Sequence, residues 1–187
     1  MHLTQIKSKA GFTLVELIIV LAIISIMAAI AIPNYIRQQP FRQLNTTGRD
    51  IYANMQLAKA EAVRRNSNVA MEFIPGPAPA PRFTSYRVFL DNGNGGGVAG
   101  DSIRQANEQI LVQPVTLPLG IMGTHTFAVN AVGFSSRGLA TGLGTVTLNI
   151  DVDANGVADV IGGQTPFRAI TVSPAGAVRF DDRTGRR

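Results

Sequence analysis

Between Phe12 and Ile32 the chain runs 21 residues with a single charged side chain, Glu16. A helix rising about 1.5 Å per residue spans about 30 Å over that length, the thickness of a bilayer's hydrocarbon core. No Pro lies inside the run, and Pro33 is expected to close it. A membrane anchor alone leaves Glu16 unexplained. A carboxylate in hydrocarbon costs roughly 2.5–3.5 kcal/mol on an insertion scale, and such a group usually marks function and needs a cationic partner.

A cut between Gly11 and Phe12 supplies that partner: it frees an α-amine four residues before Glu16, on the same chain or on a neighbouring copy. Two other readings stand beside this one. Glu16 lies one turn from the start of the run and can snorkel to the interface. Lys7 and Lys9, an apolar middle and Ala29-Ile30-Ala31 also fit a secretory signal with an A-x-A cleavage site, although such an apolar region usually spans only about 7–15 residues and lacks an acid.

The short basic leader ending in Gly11, followed by FTLVEL and the apolar run, resembles the class III signal of type IV pilins and type II secretion pseudopilins. The resemblance implies that a prepilin peptidase cuts after Gly11 and N-methylates Phe12. It also implies that Glu16 serves assembly, and that a separate cytoplasmic ATPase supplies the energy. Lys7 and Lys9 favour a cytoplasmic N-terminus. Arg37 and Arg42 on the opposing flank weaken that asymmetry, and the resemblance implies the same orientation, with the head outside the inner membrane.

Beyond the run, apolar residues at Ile36, Phe41, Leu44, Ile51, Met55, Ala58, Ala62 and Val63 continue a helical stripe to about residue 66. Pro33 and Pro40 are expected to interrupt or kink it. Arg64 and Arg65 suit a helix end, as solvated cations complementing the dipole. The period then becomes strand-like. Expected strands are Val69–Phe73, Ser85–Leu90, Gln109–Leu117, Thr124–Asn130, Thr145–Ile150, Arg168–Ser173 and Ala177–Phe180, separated by Gly, Pro and Asn clusters. PGPAPAP at 75–81 reads as an extended loop, and DNGNGGGVAGD at 91–101 as the most flexible part of the head. The handover QLAKAEAVRRNSNVAMEF, the hairpin YRVFLDNGNGG to EQILV, GFSSRG at 133–138 and ITVSPAGAVRF at 170–180 resemble H-type minor pseudopilins and FimT/FimU-type minor pilins, the GspH/FimT family.

Nothing points to catalysis. The chain has no Cys, so neither a thiolate nor a disulfide is available, and His2 and His125 are isolated. Ser135 and Ser136 do not form a G-x-S-x-G elbow, and the glycines after Asp91 lack the Lys-Ser/Thr of a phosphate loop. No cofactor is expected, with Ca²⁺ the one candidate ligand. In DVDANGVADV, Asp151, Asp153, Asn155 and Asp159 take positions 1, 3, 5 and 9 of an EF-hand-like loop with Gly156 at the turn, but position 12 is Gly162 rather than Glu. The alternative is an Asp/Asn/Gly turn. Asp91, Asn94, Asp101 and Glu108 form a vaguer acidic group. A basic end, Arg179, Arg183, Arg186 and Arg187, offers phosphate contacts, and TGRR is similar to the Gly-Arg motif of DNA-binding FimT-type pilins. Asp181 and Asp182 offset half of that charge, and a solvated tail is the alternative. The formal charge of +5, from 17 basic and 12 acidic residues, falls to 15 against 12 once Lys7 and Lys9 leave with the leader.

The expected fold is α+β and pilin-like, with a long N-terminal transmembrane α-helix packed on a C-terminal β-rich head. Its parts are a leader (1–11), a membrane or filament-core helix (12–33), an amphipathic continuation (34–66) and the head (67–187). The expected role is a non-enzymatic minor pseudopilin of a type II secretion system, acting in tip or initiation assembly. Its partners would be other pilins or pseudopilins, the prepilin peptidase, the inner-membrane assembly platform and membrane lipid. The alternatives are a FimT/FimU-like minor pilin of a type IV pilus, a DNA-binding competence pilin, and a secreted soluble domain.

Overall fold

The computed structural model describes residues 12–76, 82–161 and 163–181. One helix, α1 (Leu14–Arg65), precedes eight strands: β1 (Asn68–Pro75), β2 (Arg82–Asp91), β3 (Ile110–Thr116), β4 (Ile121–His125), β5 (Ala131–Phe134), β6 (Gly144–Ile150), β7 (Phe167–Val172) and β8 (Val178–Asp181). Contacts within the chain divide it into two units, Met1–Gln39 and Pro40–Arg187.

In the first unit α1 is apolar on all sides. Its most apolar 18-residue window has a mean hydropathy of 2.9, and none of that window is buried within the chain. A helix of this kind is stable in lipid or among other helices. The hydroxyl of Ser25 donates to the Leu21 carbonyl at 2.7 Å, which satisfies it without a partner from outside the helix. The helix continues past Pro33 and Pro40, as expected, to Arg65. Each Pro removes one backbone donor, and a 52-residue helix keeps the bonds on either side.

In the second unit, α1 buries Leu44, Thr47, Gly48, Ile51, Met55, Ala58 and Ala62, mostly at steps of three and four. Phe41 packs at the margin, whereas Ile36 and Val63, expected on the stripe, are exposed. Gly48 is part of the stripe for steric reasons: a Cβ there would lie 2.8 Å from Cε2 of Phe180 on β8.

The strands form one sheet in the order β5-β1-β2-β4-β6-β7-β8, with β3 also paired to β2. Every pairing is antiparallel. Along one side β2 pairs with β1; the other side is shared by β4, at Arg82 and Phe83, and β3, from Ser85 to Phe89. Gln113 and Pro114 together face Arg87 alone, a bulge that accommodates a residue with no N–H to offer the ladder. One sheet face and the α1 stripe share a core that includes Met71, Phe73, Tyr86, Val132, Leu148 and Ile170. Each such side chain contributes about 1.5–3 kcal/mol on burial.

The expected strand Thr124–Asn130 is not formed. β4 ends at His125, Asn130 turns with φ 54°, and β5 begins at Ala131. The Asn130 carbonyl accepts from Phe73 N at 2.7 Å, so the turn is tied into β1. β5 was not anticipated as a strand. All four of its residues are buried, so it carries no alternation to read.

Candidate assembly interface

The first turn of α1 is built on Thr13. Its Oγ1 accepts from Glu16 N at 3.2 Å and its carbonyl accepts from Leu17 N at 3.2 Å, which makes it the N-cap. Thr13-Leu14-Val15-Glu16 has the T-x-x-E spacing of a capping box, a signal legible in the sequence and missed there. Glu16 stands in the first helical turn, where the helix dipole favours an acid. Phe12 precedes it and is 82% exposed. Gly11 lies outside the described residues. What the described part presents is an exposed apolar helix with one carboxylate near its start.

In the head, the residues singled out as metal ligands accept hydrogen bonds from nitrogens of their own loop. Asp151 Oδ2 accepts from Gly156 N at 3.0 Å, Asp159 Oδ2 from Val152 N at 2.7 Å, and Asp153 from both the backbone and side-chain nitrogens of Asn155. Asn155 Oδ1 accepts from Val157 N at 2.7 Å. The Asp153 and Asn155 bonds to the backbone N–H two residues on are Asx-type turns. Among the described residues, no group of three or more His, Asp or Glu gathers around one point.

The second acidic group clamps the 92–109 connection. Asp91 accepts from Gly100 N and Ser102 N at 2.9 and 2.8 Å, and Glu108 from Gly93 N and Gln105 N, both at 2.9 Å. Asp101 Oδ1 accepts from Ile103 N at 2.8 Å, and Asn94 Nδ2 donates to Asn107 O at 3.3 Å. Burial pushes the Asp91 carboxyl up, helped by the charges of Glu108 and Asp101, against the pull of its two backbone donors.

His125 is buried between Phe73, Phe83 and Phe127, with its ring centroid 5.2 Å from that of Phe73. Its Nδ1 has no hydrogen-bond partner, and burial holds its pKa below the usual imidazole value. A proton shuttle needs access that this position lacks. Ser135 Oγ accepts from Leu139 N in a turn. Arg64 and Arg65 both pair with Glu61, at 2.6 and 2.7 Å, and hold its carboxyl down to about 2. The Arg64 side chain stays 65% exposed, so the expected solvated, basic helix end carries an ion pair to Glu61 as well. Arg179 is exposed on β8, while Arg183, Arg186 and Arg187 lie outside the described residues.

Comparison with known proteins agrees with this arrangement. The family described as Type II transport protein GspH matches residues 47–176, and the Prokaryotic N-terminal methylation motif matches residues 6–32. No curated protein sequence matches the chain. Two solved structures share the fold. The type IV minor pilin FimU of Pseudomonas aeruginosa is 13% identical with a TM-score of 0.52, over 78% of this chain and 94% of that one. The minor pseudopilin EpsH from the Type 2 Secretion System of Vibrio cholerae is 11% identical with a TM-score of 0.51, over 75% and 97%.

Proposed function

The chain belongs to the family described as Type II transport protein GspH, and from that premise we propose that it is a minor pseudopilin: a structural subunit that joins other pilin-like chains in a type II secretion pseudopilus. The observation that carries this is the joining of two features in one chain, a methylation-motif helix that exposes its whole apolar surface and a GspH-type head. Among the described residues of the head, the acids Asp91 and Asp151 accept from backbone N–H groups and the buried His125 sits among Phe rings. The prepilin peptidase would cut after Gly11 and methylate Phe12. The head would then lie outside the inner membrane, Glu16 would pair with the Phe12 amine of an adjoining subunit, and the assembly platform would draw the chain from lipid into a filament. A place at the tip or in initiation follows from family analogy.

The second reading is a FimT/FimU-like minor pilin of a type IV pilus. The common fold of FimU and EpsH supports both readings equally. A DNA-binding form of it would rest on Arg179 and the three tail arginines. Deletion in the native cell separates the two: loss of protein export across the outer membrane with surface pili intact is the result expected here. Loss of pili with export intact would install the second reading.

A further inference from the structure

Three Asn-Gly pairs occur in the chain: Asn92-Gly93, Asn94-Gly95 and Asn155-Gly156. A glycine after an asparagine leaves its backbone nitrogen unshielded, because no Cβ stands beside it. That nitrogen can attack the Cγ of the asparagine before it. All three asparagines are exposed, so access to solvent does not choose among them. The bonding of the glycine nitrogens does.

Gly93 N donates to Glu108 Oε1 at 2.9 Å, and Gly156 N donates to Asp151 Oδ2 at 3.0 Å. Both acceptors belong to buried carboxylates, 3% and 6% exposed. To reach Cγ, either nitrogen must leave a charged acceptor, and such bonds are roughly twice as strong as neutral ones. The two asparagine side chains are held as well. Asn92 Oδ1 accepts from Asn94 N at 3.1 Å. Asn155 Oδ1 accepts from Val157 N and its Nδ2 donates to Asp153 Oδ2, both at 2.7 Å. The middle pair differs on each count. Gly95 N has no hydrogen-bond partner among the described residues. The Asn94 side chain makes one long bond, from Nδ2 to Asn107 O at 3.3 Å.

We propose that Asn94 is a site of spontaneous covalent modification, deamidation through a cyclic imide with water as the co-reactant. Gly95 N bonds Asn94 Cγ, the Cγ–Nδ2 bond breaks, and ammonia leaves with the proton that Gly95 N gives up. Water then adds to one of the two ring carbonyls and opens the ring to aspartate or isoaspartate. The aspartate product puts a carboxylate where an NH₂ donor faced the Asn107 carbonyl. The isoaspartate product routes the main chain through the former side chain. Both add an acid to the connection that Asp91 and Glu108 clamp, and a new negative charge beside acids disrupts by repulsion. The modification therefore loosens the clamp.

The test holds the full-length chain in detergent at mildly alkaline pH, folded or in urea, and follows each asparagine by peptide mapping and fragment mass. In the folded chain, conversion of amide to acid is expected several-fold faster at Asn94 than at Asn92 or Asn155, with the three rates drawing level in urea. Glu108→Ala should raise the Asn92 rate several-fold, with Asn155, bonded in a separate loop, as the internal control for folding. Asn94→Asp should quicken amide exchange at Gly93 and Gly100. A folded Asn94 no faster than Asn92 or Asn155 overturns the site, and this comparison needs no variant. An Asn92 rate unmoved in Glu108→Ala overturns the bonded nitrogen as the cause of protection, and unchanged exchange in Asn94→Asp overturns the loosening.

Discussion

The Lys59 ammonium donates to the Gly176 carbonyl at 2.9 Å, joining α1 to a turn 117 residues away. Gly176 closes the turn between β7 and β8. Its notional Cβ would collide with the carbonyl oxygen of Gly138, which closes the turn after β5. β5 and β8 stand at opposite ends of the strand order, so the sheet curls until turns from its two edges meet over one lysine. The two turns are built alike. Gly138 N donates to Ser135 O and Gly176 N to Ser173 O, both near 2.8–2.9 Å, and each serine hydroxyl accepts from the residue after its glycine.

This seam sets the first expectation. Gly176 has φ 70° as well as no room for a methyl group. Gly176→Ala should therefore destabilise the head by about 2–3 kcal/mol, the left-handed conformation alone costing roughly 1–2 kcal/mol. Lys59→Met keeps the stem and loses the bond, at about 1 kcal/mol. Urea unfolding of the full chain in detergent, followed by circular dichroism, measures both. A Gly176→Ala midpoint equal to wild type would show that the seam is slack.

Acid should weaken the head through His125. Its folded-state pKa lies below the unfolded value of 6.5, so the unfolded chain binds more protons in that window. Its contribution to stability is present above pH 6.5 and is lost as the pH falls below that value. Asp91 has the opposite sign, because its raised carboxyl pKa favours the folded state below the unfolded value of 3.8 and loses that contribution as the pH rises. The decline just below pH 6.5 should thus belong to His125 and should flatten in His125→Phe. Denaturant midpoints measured between pH 7.5 and 5.5 would show it, and an equal slope in the variant would assign the decline elsewhere.

These relationships differ in how far they were legible beforehand. The apolar run and the stripe Leu44, Ile51, Met55, Ala58 and Ala62 are written as periods, and burial follows period. So does β6, where Val146, Leu148 and Ile150 alternate with half-exposed residues. β5 has no period because both its faces are covered, and the break at Asn130 depends on a bond to Phe73 that no local pattern records. The stripe carried the helix past Pro33 and Pro40 in the sequence as it does in the fold, since a long helix loses only one bond at each. In the loops the chemistry of Asp and Asn was legible and the acceptor geometry was not. Asp151 and Asp159 take cation-loop positions by spacing, and in the fold one oxygen of each accepts from a backbone N–H group.

Thr13 should matter to the first turn of α1. Thr13→Val removes the hydroxyl that caps Glu16 N while keeping the side-chain shape. Loss of an N-cap costs about 1 kcal/mol, or roughly a fivefold change in local opening. Amide exchange at Glu16 should quicken by about that factor, and Thr13→Ser should restore protection. Unchanged exchange in the Val variant would mean that the hydroxyl does not hold the turn.

Glu16 should matter more to assembly than to insertion. It is the sole charge between Phe12 and Ile32, so Glu16→Ala should enter the membrane more readily, by roughly the 2.5–3.5 kcal/mol that a carboxylate costs there. The first turn should survive the change, since the Thr13 hydroxyl bonds the Glu16 backbone N–H, which the Ala variant retains. In a filament the balance reverses. An adjoining subunit's Phe12 amine would be buried without its partner, and removing one member of a buried pair costs about 3–5 kcal/mol. The pair would also fix axial register, because apolar helices alone can slide past one another. The variant should therefore be inserted and processed normally and yet fail to join neighbouring subunits, and Glu16→Gln, similar in shape but uncharged, should fail alike. Membrane fractionation, intact mass and crosslinking to partner pilins measure the three steps. Wild-type crosslinking in both variants would show that the charge merely snorkels to the interface.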